Sequence, residues 1–266
     1  VHLRLKASLV DFLHEQARRR WREQWNKETR HLLGGGTLLT WSAMTIGFAR
    51  RVTAYKRADL LFRDPDRLRR LLLDPVRPVQ IIFAGKAHPA DGPGKQILQK
   101  VYSFARDPSF EGHVAFIEDY ELHLAHRLVQ GVDLWLNVPR PPLEACGTSG
   151  MKAALNAVPQ LGTEDGWWAE GYTGRNGWSI PAARPEEDQD ERHAEQLYAL
   201  LEEQVVPLFY DRDDRGVPVG WVERMKHAQR VALERFTARR MLRNYVQQYY
   251  VPAMKRDAGG DDPPTA

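Results

Sequence analysis

The chain has 266 residues, 42% of them hydrophobic, with 38 basic against 35 acidic side chains. That length is ample for a buried core in one large domain or slightly more, and the lack of any apolar run near about 20 residues excludes a transmembrane helix. A net charge of +3 is too slight an excess to indicate dedicated nucleic-acid binding.

In chain order, the sequence opens directly inside a helical pattern, with no initiator Met and no cap. Leu5, Leu9, Leu13, Ala17, Trp21 and Trp25 recur every four residues, with Lys6, Arg18 and Arg22 elsewhere on the helix. Such an opening reads as the continuation of a longer polypeptide, and VHLRLKAS lacks the apolar stretch of a signal peptide. After Gly34-Gly35-Gly36, residues 44–49 read as a buried strand, followed by a helix over about 55–73 that ends before Asp74-Pro75. Strands are then predicted at 79–84, 114–117 and 132–136, with helices at 96–105 and 122–129 between them. This alternation implies an α/β fold with a doubly wound, Rossmann-like parallel sheet, which binds ligands at the carboxyl ends of its strands. From about residue 182 the pattern is helical, with stops at Pro207, Gly216 and Pro252. Residues 1–252 are therefore expected to fold as one domain and 253–266, polar and Pro/Gly-rich, to form a disordered tail.

The stretch Glu144-Ala-Cys-Gly-Thr-Ser-Gly-Met-Lys152 carries the most chemical information. Gly147, Thr148, Ser149 and Gly150 offer backbone N–H groups and two hydroxyls where a helix begins, an arrangement that suits an anion. The Lys152 amine is placed to form a Schiff base or to pair with a phosphate; the ordinary alternative is a capped turn with a surface lysine. Arg50, Arg51, Lys56 and Arg57 follow the first strand directly and put four cations at the mouth of the expected crevice.

Other motifs carry less. Gly92-Pro93-Gly94-Lys95 lacks the first glycine and the Ser/Thr of a phosphate loop. His123 and His126 have no ligand set beside them, so no metal site is expected. Cys146, the single cysteine, excludes an intramolecular disulfide and leaves a reducing, cytoplasmic setting as the default; it reads as a small pocket-lining residue. The Trp-containing loops at 165–168 and 176–178 suit either sugar stacking or core packing. The arginines between 224 and 243 read as the solvated side of amphipathic helices.

Taken together, the segments EACGTSGMKAALN (144–156), FARRVTAYKR (48–57), IIFAGKAHPADGPGK (81–95), FIEDYELHLAHRLVQGVDLWLNVPRPPLEA (116–145), DGWW-EGY-GRNGW (165–178) and FTARRMLRNYVQQYY (236–250) closely resemble the glycogen/α-glucan phosphorylases. The resemblance runs over about 1–252 and is strongest to bacterial-type members. It implies pyridoxal 5′-phosphate carried on Lys152, with the cofactor's phosphate shuttling a proton to and from inorganic phosphate. The implied reaction is phosphorolysis of a terminal α-1,4-glucosidic bond, giving α-D-glucose 1-phosphate with retention. By the same resemblance Arg51 and Lys56 hold the substrate phosphate. Arg50, Thr148, Ser149 and Gly147 hold the cofactor phosphate, Tyr120 lies by the cofactor, and Glu144, Cys146 and Gly147 contact the terminal glucose. Two phosphates brought together repel, so a dense cationic wall is what such chemistry requires.

The sequence departs from the family in two ways. Cys146 stands where bacterial members usually carry Ser (EASGTSGMK), replacing a good hydrogen-bonding hydroxyl with a weak thiol. The family's active site also lies between two Rossmann-like domains, and only the C-terminal, cofactor-bearing one is recognisable here. The expected partners are an α-1,4-glucan, inorganic phosphate or glucose 1-phosphate, the N-terminal domain and a homo-oligomer, with neither nucleic acid nor membrane. Two other readings stay open at this point: a nucleotide-sugar glycosyltransferase of similar architecture, and a non-catalytic glucan-binding remnant.

Overall fold

The computed structural model describes residues 1–23, 35–184 and 186–258. Its centre is a six-stranded sheet: β1 Met44–Ala49, β2 Val79–Ala84, β3 Val114–Ile117, β4 Leu134–Asn137, β5 Gln160–Thr163 and β6 Gly177–Ile180. The order is β3-β2-β1-β4-β5-β6 and every pairing is parallel. This is the doubly wound, Rossmann-like arrangement, and its topological switch point lies between β1 and β4. Strands β1, β2 and β3 form where expected. Strands β5 and β6 were not anticipated, because their Gln160, Thr163 and Gly177 interrupt the apolar runs that betray a buried strand.

Because successive strand residues face opposite ways, each strand feeds two cores. Ile81 and Phe83 join the cluster that includes Phe62, Leu197 and Trp221, while Ile82 and Ala84 join the one that includes Leu9, Leu13 and Leu128. Helix α1 (His2–Glu23) covers the second face with Leu9, Leu13 and Ala17; Trp25 and Gly34 lie outside the described residues. Trp167, Trp168 and Trp178 are core residues, buried to within 3% of full burial, and do not form an open stacking platform. Arg224 lies against Trp178, with its guanidinium 4.2 Å from the ring centre, so it does not belong to a solvated face.

The 55–73 region is not one helix. Two 3₁₀ turns, Ala54–Lys56 and Leu60–Arg63, precede α2 (Pro65–Leu72). Arg57 takes a left-handed conformation with φ of 51° and breaks the first turn, and the Asp64 side chain caps α2 by accepting from Arg67 N. Helix α3 (Gly92–Ala105) starts earlier than the periodicity implies because Asp91 caps it through Gly94 N at 2.8 Å. Helix α4 is Leu122–Gly131 and α5 is Thr148–Leu155, followed by the short α6, Trp167–Gly171.

Pro207 and Pro252 do not stop their helices. Helix α7 (Gln189–Leu200) passes through a π turn, Leu201–Val205, into α8 (Val206–Tyr210); α10 (Ala238–Tyr245) passes through another, Val246–Tyr250, into α11 (Val251–Ala258). A widened turn just ahead of each proline removes the clash of its ring with the carbonyl four residues back. Gly216 does fall in a break, before α9 (Val219–Arg235). Helix α11 also carries regular structure past residue 252, and 259–266 lie outside the described residues. Among the described residues no helix is long and apolar enough to cross a membrane.

At the amino end of the sheet Lys6 is not on a solvated face but 1% exposed. Its ammonium donates to Ala43 O and to Asp133, which also accepts from Thr45 N at 2.7 Å and pairs with His2 Nε2 at 2.9 Å. Burial alone would raise the Asp133 carboxyl; Lys6 and His2 outweigh it and hold it low. Removing one partner of a buried pair leaves a bare charge, so K6A should cost about 3–5 kcal/mol in urea unfolding.

Candidate functional site

The carboxyl ends of β1 and β4 diverge at the switch point, and the site is built in that gap. Arg50 directly follows β1, where its N–H continues the ladder to Ala84 O at 3.1 Å. Its guanidinium turns across to β4 and donates to Asn137 Oδ1 and to the Glu144 carboxylate. Lys56, on the 3₁₀ turn after β1, donates to the same Glu144 oxygen at 2.8 Å. All three charged groups are buried. Burial would raise the Glu144 carboxyl, but Lys56 and Arg50 prevail and hold it below the usual carboxylate range. Two cations therefore share one anion at the mouth of the crevice.

The Glu144 loop is stitched down on its far side as well. Asp165 accepts from Glu144 N at 2.8 Å, and Cys146 O accepts from Trp167 N at 2.7 Å. Gly147, with φ of 82°, is the left-handed N-cap residue of α5, and a side chain there would stand 3.5 Å from both Asn137 Nδ2 and the Glu144 side chain. Gly150 is tighter: a methyl would lie 1.9 Å from Gln160 Oε1 and 2.6 Å from Trp167 Nε1. The helix N-terminus thus approaches the Asn137–Glu144 corner through Gly147 and packs on Gln160 and Trp167 through Gly150.

The structure brings Arg50, Lys56, Glu144 and Gly147 together. Tyr120 sits beside them, half-buried, its hydroxyl 3.5 Å from Ala49 O; burial pushes its phenol up, with the Arg50 charge opposing. Arg51, Thr148 and Lys152 are exposed and Ser149 half-buried, so these side chains are not part of the buried ion cluster. Cys146 is exposed too, and partial burial of its sulfur followed by the Glu144 and Glu170 charges pushes the thiol up, away from a nucleophilic thiolate.

Asn137 and Gln160 carry no signal in the sequence, while Asp165 and Arg57, seen there only as part of a Trp loop and of a basic run, take other roles in the structure. Asn137 is fixed by Arg50, a donor-only group that turns the Asn oxygen toward itself and leaves Nδ2 buried without a partner. Arg50 Nε and Gln160 Nε2 are likewise buried without a hydrogen-bond partner among the described residues. Arg57, read as one more cation of a basic run, is 3% exposed and bonds to the carbonyls of Val138 and Pro139. Its guanidinium also meets Asp190 Oδ1 and His193 Nδ1, each at 3.0 Å.

Buried ion partners, N–H donors without a partner among the described residues and a helix N-terminus gather at the switch point of a doubly wound α/β sheet, an arrangement that suits an anionic ligand. A family model described as carbohydrate phosphorylase matches residues 44–170. The chain is 49% identical over 256 residues to the glycogen phosphorylase of Aquifex aeolicus (strain VF5), a match covering 96% of this chain and 37% of that protein. It is 47% identical over 264 residues to the glycogen phosphorylase of Mycobacterium tuberculosis (strain ATCC 25618 / H37Rv), covering 96% of this chain and 31% of the relative. A third relative, the maltodextrin phosphorylase of Thermococcus litoralis, is 46% identical over 216 residues, 80% of this chain and 25% of its own length. The chain belongs to the carbohydrate phosphorylase family. It spans between 31% and 37% of the length of the two glycogen phosphorylases.

Two outcomes follow from this packing. G150A should lower stability by about 1–3 kcal/mol in urea unfolding through overpacking against Gln160 and Trp167, while G92A, where nothing lies within 4 Å, should stay within about 0.5 kcal/mol of the parent. His193 is held neutral: burial, then the Arg57 charge, pushes it down to about 4 from 6.5. Its unfolded form binds a proton first on acidification, so stability is lost as pH falls from about 6.5 toward 4. Thermal melts of H193N across that window should show a shallower slope.

Proposed function

We propose that this chain is the C-terminal, cofactor-bearing part of an α-glucan phosphorylase acting on glycogen, starch or maltodextrin. The observation that carries the reading is the convergence of Arg50, Lys56 and Glu144 beside the Gly147 turn, one helix start away from Lys152. The donor set suits pyridoxal 5′-phosphate: Arg50 Nε and Asn137 Nδ2 are buried N–H groups with no hydrogen-bond partner among the described residues, and the Gly147 turn opens onto a helix N-terminus. When bound, the cofactor supplies a phosphate that exchanges a proton with inorganic phosphate.

Each residue then has a distinct task. Lys152 carries the cofactor, while Arg50, Gly147, Thr148 and Ser149 bind its phosphate and Tyr120 lies along it. Arg51 and Lys56 bind and orient the substrate phosphate; the exposure of Arg51 leaves it free to reach a ligand at the crevice mouth. Glu144, Cys146 and Gly147 accept or donate to hydroxyls of the terminal glucose. A carboxylate kept ionised by Lys56 and Arg50 is a strong acceptor for sugar hydroxyls. The crevice needs a second wall, which the remaining length of the relatives would supply, so the chain alone is expected to bind ligands without turnover. Its cytoplasmic setting is part of the same reading.

The test is reductive trapping. The chain is incubated with pyridoxal phosphate, reduced with borohydride and mapped by peptide mass. A single adduct at Lys152, abolished in K152A, is expected, and scattered labelling or none would overturn the reading. R50A should weaken pyridoxal phosphate binding about 10- to 100-fold, the effect of one charge-assisted hydrogen bond.

A further inference from the structure

We infer that Arg57 is a positioning residue that sets where Glu144 meets Lys56 and Arg50. The inference rests on the phosphate-and-sugar reading of the site for its meaning, and on the geometry of the clamp for its evidence. Arg57 is buried, directly follows Lys56, and has a left-handed backbone with φ of 51° that few non-glycine residues adopt. From there its guanidinium reaches the segment after β4, donating from Nε to Val138 O and from Nη2 to Pro139 O, each at 2.9 Å. The same joint is closed by Arg140 N donating to Tyr55 O at 2.7 Å, and Thr163 Oγ1 adds a second donor to Pro139 O at 2.6 Å.

The outer edge of the guanidinium is equally committed. Nη1 donates to Asp190 Oδ1, and Nη2 lies against Nδ1 of His193, which as a neutral ring accepts there. Asp190 is itself tied to Arg63 and Arg140. The Arg57 charge is therefore neutralised within the protein, and its planar fork is used to bridge two backbone segments instead of binding a ligand. Those segments are the ones that deliver the site: Lys56 precedes Arg57 on one side, and the Val138–Arg140 strand exit leads to Glu144 on the other. Fixing the turn to the strand exit fixes the distance between the cation and its carboxylate.

R57K separates this role from simple stability, since a lysine keeps the charge but its single nitrogen, with three donors and no planar fork, cannot span the four partners that Arg57 meets at Val138, Pro139, Asp190 and His193. The full chain labelled with 13C-glutamate reports the Glu144 carboxyl, assigned by its loss in E144Q. In the parent it titrates below the usual carboxylate range; in R57K it should move up by about 0.5–1 unit as Lys56 and Glu144 part. Pyridoxal phosphate affinity, read by absorbance titration, should fall about tenfold, and millimolar guanidinium should restore part of it in R57A. D190N removes the outer ion pairs and leaves the carbonyl bonds, so it should lower the melting temperature while leaving the Glu144 titration in place. An unmoved Glu144 in folded R57K, or an equal shift in D190N, overturns the inference. If the parent fails to take pyridoxal phosphate but Glu144 moves as expected, the functional reading fails and the positioning role stands.

Discussion

Burying two cations side by side requires an anion between them, and that requirement organises this domain. Arg50 and Lys56 leave β1 within one turn of each other and are both taken out of water, a placement that would be prohibitive without Glu144. Glu144 comes from the other half of the sheet, beyond β4, so satisfying the charges forces the two halves to meet at the switch point. The surrounding features serve that meeting: Asp165 holds the Glu144 amide, Asn137 takes the second arm of Arg50, and Gly147 lets the next helix begin close by. The cationic corner is in this sense a by-product of how the sheet's two halves are fastened.

The exposed members of the motif fit the same logic. Arg51, Thr148 and Lys152 stand outside the buried cluster, where their charge and hydroxyl groups are not consumed by internal partners. Internal ion pairing holds the scaffold, and these side chains are exposed to solvent. Under the proposed function Arg50 and Lys56 have a double role, since each fastens the fold through Glu144 and is assigned to a phosphate.

Much of this was legible in the chain. Strands β1, β2 and β3 are short apolar runs whose bounds follow from composition, and the 144–152 segment announces a helix start by residue type. The remainder was hidden for physical reasons. Strands β5 and β6 contain Gln160, Thr163 and Gly177, polar or small residues tolerated in a buried sheet because Trp167 and Pro139 supply partners for the first two. Arg51 and Arg57 look alike in a basic run, yet one is solvated and the other is locked between two backbone segments, a difference set by long-range contacts that no local spacing encodes. The same holds for Lys6, whose partner Asp133 lies more than a hundred residues away. Pro207 and Pro252 misled because proline ends a regular α-helix, whereas a π turn placed just before it allows the helix to continue.

Strand β4 is bracketed by charge. Asp133, immediately before it, is locked to Lys6 and His2 below the sheet, and the segment after it is locked to Arg57 and, through Glu144, to Lys56 and Arg50 above. A strand pinned at both ends by buried ion pairs cannot shift register without separating a charge from its partner in the interior. The β1–β4 junction is thereby the fixed corner of the sheet, tied at its amino end through Asp133 and at its carboxyl end through Arg57 and Glu144.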